Sequence, residues 1–152
     1  MQKLVLYSTL AFSLALTVFV ACRKDKFEST PHIEIKSITP NPLPVNGSLV
    51  IDLEYTDKEG DIADSIFIRK IRINQKKVAR TLRDSFAYQL PTDVPKKSQG
   101  TIRLTLNYDA AYSAENPGNP AAPDSLIFRF ALQDKAKHIS DTAESGLVII
   151  NR

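Results

Sequence analysis

The sequence predicts an all-β protein, a single antiparallel β-sandwich of about seven strands. Three segments alternate strictly between apolar and polar residues, so each would present one apolar and one polar face as an extended strand. Turn-forming residues separate these segments, and only one short stretch favours a helix. Clean alternation favours antiparallel pairing, because parallel strands buried on both faces consist of continuous apolar runs.

The three regular strands are joined by less regular ones. Their apolar faces consist of Leu49, Ile51, Leu53 and Tyr55 in the first, Ile102, Leu104, Leu106 and Tyr108 in the second, and Leu126, Phe128, Phe130 and Leu132 in the third. Further strand-like segments are 65–73, 86–90 and 146–150, and Ile33 and Ile35 alternate with polar residues in another. This pattern describes a sandwich of immunoglobulin-like or fibronectin-like outline, without a Cys-Trp-Cys core, because tryptophan is absent.

Two proline-rich segments are predicted to interrupt regular pairing. Residues 39–44 contain three prolines, which remove three backbone donors within a few positions. Asn46-Gly47 then predicts a turn before the first regular strand. The longest connection, 109–124, contains three more prolines and Gly118, and a short helical turn is predicted at 110–112.

The first 21 residues have the three zones of a secretory signal peptide. Lys3 provides a positive start, residues 4–20 form an apolar run, and the small residue Ala21 precedes Cys22. The apolar run is about as long as a membrane-spanning helix, so an uncleaved anchor is the alternative. Cys22 is the only cysteine, so no internal disulfide can form in an exported chain.

Ala21-Cys22 at the end of the apolar run resembles the lipobox of bacterial lipoproteins, with Phe19 where an aliphatic residue is usual. The resemblance implies that residues 1–21 are removed and that Cys22 carries the lipid that attaches the protein to the membrane. The segment 22–25 looks like the mature end of Bacteroidota-type lipoproteins, which implies the outer membrane, at its periplasmic face or the cell surface. Residues 22–31 would then be a lipidated tether and residues 32–152 the β-sandwich domain.

The charge of the chain excludes one class of partner. Residues 1–21 carry Lys3 as their only charge, so their removal lowers the formal net charge from +3 to +2, and nothing in this balance points to nucleic acid. A local basic stretch interleaves with apolar residues and consists of Arg69, Lys70, Arg72, Lys76, Lys77, Arg80 and Arg83. This stretch is either a face for anionic lipid or an acidic glycan, or a solvated strand whose charges oppose aggregation.

The most distinctive segment is an acidic loop, which has four carboxylates within residues 57–64 around Gly60. Calcium takes six to eight oxygen ligands, and acidic loops commonly supply them, although this spacing is not that of an EF-hand. The loop resembles an Asp-Gly-Asp type loop of small β-sandwich domains in Bacteroidota lipoproteins, with Glu59 replacing the usual aspartate. Asp134 lies in a segment similar to the penultimate-strand turn of the same modules. One interpretation is that Asp57 and Asp61 only cap turns. The other is a calcium site, in which Asp57, Glu59 and Asp61 would be ligands and Asp134 would complete the shell from a neighbouring turn.

Residues that would support catalysis are few. The single thiol is assigned to lipid, and neither a phosphate-binding glycine loop nor a nucleophile-elbow sequence is present. A hydrolase would have to use His138, for example with Asp141 and a serine. The sequence therefore predicts a non-catalytic, membrane-anchored lipoprotein that serves as a binding or structural accessory module, with another envelope protein or a glycan as partner and no cofactor except calcium. The alternatives are a calcium-stabilised spacer and a periplasmic or surface hydrolase.

Overall fold

The computed structural model describes residues 29–62, 64–73, 85–93, 96–111 and 122–152. The strands are β1 His32–Thr39, β2 Ser48–Thr56, β3 Ser65–Arg72, β4 Ser85–Gln89, β5 Gln99–Asn107, β6 Asp124–Gln133, β7 Ala143–Glu144 and β8 Val148–Ile150, and one short helix, α1, spans Tyr108–Ala111. The all-β prediction is confirmed. The described residues form eight strands instead of about seven, because the two-residue strand β7 is additional.

The strands form two antiparallel sheets. Sheet A has the order β1-β2-β5, and sheet B has the order β4-β3-β6-β7, with β8 also paired to β6. The chain passes from one sheet to the other between β2 and β3, between β4 and β5, and between β5 and β6. These crossings give a β-sandwich, with the connections collected at its two ends.

The core is formed by the faces that the alternation predicted. Leu126, Phe128, Phe130 and Leu132 of β6 are fully buried, and so are Leu49, Ile51 and Leu53 of β2. Phe128 and Phe130 stack with their ring centroids 6.2 Å apart. Each fully buried side chain of this size contributes about 1.5–3 kcal/mol relative to an exposed one, so this shared core is the main stabilising element of the domain.

Two segments differ from their predicted structure. Tyr108 begins α1 instead of ending β5, and its hydroxyl donates a hydrogen bond to the carbonyl of Asn151 at 2.7 Å. The helix overlaps the predicted turn at 110–112, although residue 112 lies outside the described residues. In the proline-rich segment, Leu43 is fully buried and forms a parallel bridge with Ile150. This proline-rich segment thus forms no regular strand, but Leu43 still packs into the core.

The basic stretch divides between the two faces of β3. Arg69 is exposed, whereas Lys70 is buried and donates to the carbonyl of Ala110 at 2.8 Å. The side chain of Arg72 is also buried, beside Asp124. Residues 76–83, which carry the remaining cations of the stretch, lie outside the described residues, as do residues 1–28 with the predicted signal peptide and Cys22.

Candidate cation site

Three aspartates meet at one end of the sandwich. Asp57 follows β2 of sheet A, Asp61 lies four residues further along the same loop, and Asp134 follows β6 of sheet B. One carboxylate oxygen from each residue lies within 4.8 Å of the other two. Asp57 and Asp134 are buried and Asp61 is half-buried, so the group is largely shielded from water.

A tight turn brings Asp57 and Asp61 together. The backbone N–H of Asp61 donates to Oδ2 of Asp57 at 3.0 Å, and Gly60 also donates a backbone hydrogen bond to this carboxylate. Gly60 has a φ of 65°, which glycine adopts without strain, and a Cβ at this position would lie 2.8 Å from backbone atoms of Lys97. Asp57 therefore caps its own turn, which is the alternative to a calcium site that the sequence analysis gave for this residue.

Capping does not use all the oxygens of the group. Oδ1 of Asp57 and Oδ1 of Asp61 are buried and have no hydrogen-bond partner among the described residues. A buried carboxylate oxygen without a hydrogen-bond donor destabilises the fold, because its lost hydration is not replaced by another interaction. These two oxygens are therefore the atoms that a bound cation would satisfy.

Asp134 is held in place by its own turn. Its Oδ1 accepts the backbone N–H of His138 at 2.8 Å, and its Oδ2 lies 2.9 Å from Nδ1 of the same residue. The backbone N–H of Lys135 donates to the carbonyl of Asp61 at 3.0 Å, which joins the two loops directly. An ion pair between Lys137 and Asp64 joins them again at the surface. The carboxylates of Asp57 and Asp134 are thus held by hydrogen bonds that do not depend on an ion, and the backbone of Asp61 is fixed through its N–H and its carbonyl.

The electrostatics of the group favour a positive ligand. Burial raises the pKa of the Asp57 carboxyl above its usual value, and the nearby charges of Asp61 and Glu59 act in the same direction. The hydrogen bonds that this carboxylate accepts from the backbone N–H groups of Asp61 and Gly60 lower its pKa, but the net shift remains upward. Oxygen ligands of this type suit calcium, whose remaining positions are commonly filled by backbone carbonyls and water.

Three of the four expected ligands come together, and the fourth does not. Glu59 is exposed and does not belong to the group, although its charge still acts on Asp57. The turn at Gly60 explains this difference, because it folds positions 57 and 61 inward and leaves position 59 on the outside. Among the described acidic and histidine residues, the three aspartates are a group that could hold a metal ion.

The geometry around His138 differs from the one considered for a hydrolase. The carboxylate that contacts its ring is Asp134, whereas the sequence analysis considered Asp141. The ring is half-exposed, and no serine hydroxyl in the described part of the chain is hydrogen-bonded to it. Sequence reasoning missed this contact, although the spacing of four residues within one turn was available as a signal.

No protein-family model and no curated protein sequence matches the chain. Among solved structures, the chain is similar to the crystal structure of a β-glucosidase from Kluyveromyces marxianus in complex with glucose, with a TM-score of 0.44 and 10% sequence identity. The similarity covers 82% of this chain but only 14% of that one. A likeness of this size gives no information on function. Within the described ranges, no helix is both long enough and apolar enough to cross a bilayer.

Proposed function

We propose that this protein is a non-catalytic lipoprotein of the outer membrane, whose β-sandwich is a calcium-stabilised accessory module held near the lipid surface by a short tether. It works as a structural or binding component beside a larger envelope protein or a glycan. The convergence of Asp57, Asp61 and Asp134 is the observation that carries the calcium part of this proposal. The lipoprotein part is supported by the sequence around Cys22.

The place of the aspartates in the fold explains how calcium would stabilise the domain. Asp57 and Asp134 follow strands of opposite sheets, so one ion in contact with both ties sheet A to sheet B at that end. The unfolded chain has no such site, because Asp134 is far from Asp57 and Asp61 in sequence. The free energy of calcium binding is therefore added to the stability of the folded state.

A membrane-tethered accessory module fits these features. Several acyl chains at Cys22 would make release from the membrane negligible, since each buried methylene contributes about 0.8 kcal/mol. Calcium at the end of the sandwich would stiffen the connections there, which are the parts of such a domain that usually contact partners.

Thermal unfolding of the metal-stripped protein, with added calcium or with chelator, tests the calcium part. Calcium at a hundredfold excess over its Kd should stabilise the fold by about 2.7 kcal/mol, which corresponds to a Tm increase of several degrees. Magnesium should have a smaller effect, because it requires a stricter octahedral geometry. Asp141→Asn, an equal charge change at an exposed site nearby, should keep the response. An unchanged Tm with calcium would refute this part of the proposal.

The lipoprotein part is tested by intact mass spectrometry of the protein isolated from membranes. The expected mass is that of residues 22–152 with a diacylglyceryl group and an amide-linked acyl chain on Cys22. The Cys22→Ala variant should carry no lipid and should be absent from the outer-membrane fraction. An intact Met1, or an unmodified thiol at position 22, would contradict the anchor and leave the calcium result unaffected.

A further inference from the structure

The outer face of sheet B carries a shallow trough, which is a separate feature from the aspartate group. Its open volume is about 750 Å³, and its floor is formed by β3, β4 and β6. Phe67 lies in it and is 39% exposed, which is unusual for a large aromatic side chain. A volume of this size falls within the range of small-ligand sites.

Strand register explains why the Phe67 ring is left uncovered. Phe67 is directly opposite Ala87 on β4 and opposite Ala131 on β6. A methyl group on each side cannot cover an aromatic ring, so the three residues form a flat apolar floor with an accessible ring. Ser85 and Thr142 add hydroxyl groups to the lining.

The next row of side chains is positively charged. Arg69 is directly opposite Arg129, and both line the trough. Like charges in opposite positions destabilise a sheet unless they are compensated. Arg129 is compensated by an exposed ion pair with Glu144, whereas Arg69 has no ion pair with a carboxylate in the described ranges. The trough thus carries one guanidinium that is available to an external anion.

We propose that this trough binds an acidic glycan, with the apolar face of a sugar ring packed on Phe67 and a uronic-acid carboxylate bound by Arg69. A guanidinium can hold a carboxylate through two parallel hydrogen bonds, and the flat C–H face of a pyranose matches an aromatic ring flanked by alanines. The backbone groups of β3, which carries Phe67 and Arg69, are paired on both sides with β4 and β6, so a peptide could not add as a strand at β3. The trough is also open, whereas an acyl chain needs an enclosed apolar cavity.

Isothermal titration with short oligosaccharides of galacturonate, guluronate and glucuronate tests this proposal, with neutral galactose oligomers for comparison. At least one acidic oligosaccharide should bind and the neutral ones should not. Phe67→Ala and Arg69→Gln should each weaken binding by about tenfold or more. Glu144→Gln should strengthen it, because Arg129 then becomes available as a second donor.

Arg103→Gln is the matched control. Arg103 is exposed on the outer face of sheet A and is bound to Asp52 by two hydrogen bonds, so its replacement makes the same charge change away from the trough. This variant should bind like the wild type. The proposal is overturned if no acidic oligosaccharide binds, if Phe67→Ala binds normally, or if Arg103→Gln weakens binding as much as Arg69→Gln. Because Phe67 and Arg69 are exposed, these variants should keep the wild-type melting temperature.

Discussion

Asp57 and Asp134 place carboxylate oxygens within 4.8 Å of each other, although one follows a strand of sheet A and the other a strand of sheet B. Two buried carboxylates at this distance repel each other when both are ionised, unless a positive charge compensates them. The backbone hydrogen bonds at each carboxylate fix the positions without removing the repulsion. The proposed calcium ion would lie between the sheets and compensate this charge.

Asp57→Asn separates the calcium interpretation from simple turn capping. The amide oxygen can still accept the N–H of Asp61, and the amide nitrogen can donate to the neighbouring carboxylates. We therefore expect the metal-stripped variant to be at least as stable as the metal-stripped wild type, while its Tm no longer responds to calcium. Thermal unfolding of both proteins with calcium and with chelator measures this. A variant that is less stable in chelator and still responds to calcium would show that Asp57 only caps its turn.

Gly60→Ala should disrupt the same loop through the backbone. Its φ of 65° is unfavourable for alanine, and the new Cβ would be 2.8 Å from backbone atoms of Lys97. The strain of the left-handed conformation alone costs about 1–2 kcal/mol, and the clash adds to it. Urea unfolding should show this loss together with weaker calcium binding. Gly146→Ala is the control, because its Cβ would meet nothing within 4 Å; equal losses in both variants would contradict the account.

Stability of the metal-stripped protein should depend on pH through Asp57. Its pKa is raised in the folded protein above the ordinary value of 3.8, so the fold favours the protonated carboxyl. The stabilising contribution of this group is complete below the unfolded pKa and is lost as the pH rises through the folded pKa. Wild type and Asp57→Asn, unfolded in urea at a series of pH values, should therefore diverge across this window, with the wild type losing stability. Parallel pH profiles would contradict the prediction.

The inward faces of the regular strands could be predicted from the sequence, because alternation is a local property. The positions of Lys70 and Arg72 could not be predicted in this way. Charge suggested that both belong to the surface, whereas the register places them on the core side of β3. Their partners, the carbonyl of Ala110 and the carboxylate of Asp124, are distant in sequence and appear only once the sheets are assembled.

The candidate site was also predicted only in part from the sequence. The acidic loop and Asp134 were identified from sequence by residue type and by resemblance, and the fold brings three of the four residues together. Spacing alone did not show that Glu59 points outward, because that depends on the left-handed turn at Gly60. The trough beside Phe67 was also missed, since it depends on which residues of β4 and β6 stand opposite it.

Asp124→Asn should be strongly destabilising. Asp124 is fully buried and its Oδ2 lies 2.6 Å from the guanidinium of Arg152 and 3.7 Å from that of Arg72. Removing the carboxylate charge leaves two buried cations with less compensation, which costs about 3–5 kcal/mol. Glu144→Gln, which breaks an exposed pair with Arg129, should cost less than about 1 kcal/mol. Urea unfolding compares the two, and similar losses would show that the buried cluster is not a stabilising feature.

Calorimetric titration of calcium into the metal-stripped mature protein tests the central claim most directly, with Asp134→Asn as the decisive variant. Asp134 is the only one of the three aspartates that follows a strand of sheet B, so its role depends on the ion joining the two sheets. We expect the wild type to bind one calcium ion and Asp134→Asn to lose this binding while remaining folded. Absence of binding in the wild type, or unchanged binding in Asp134→Asn, would contradict the account.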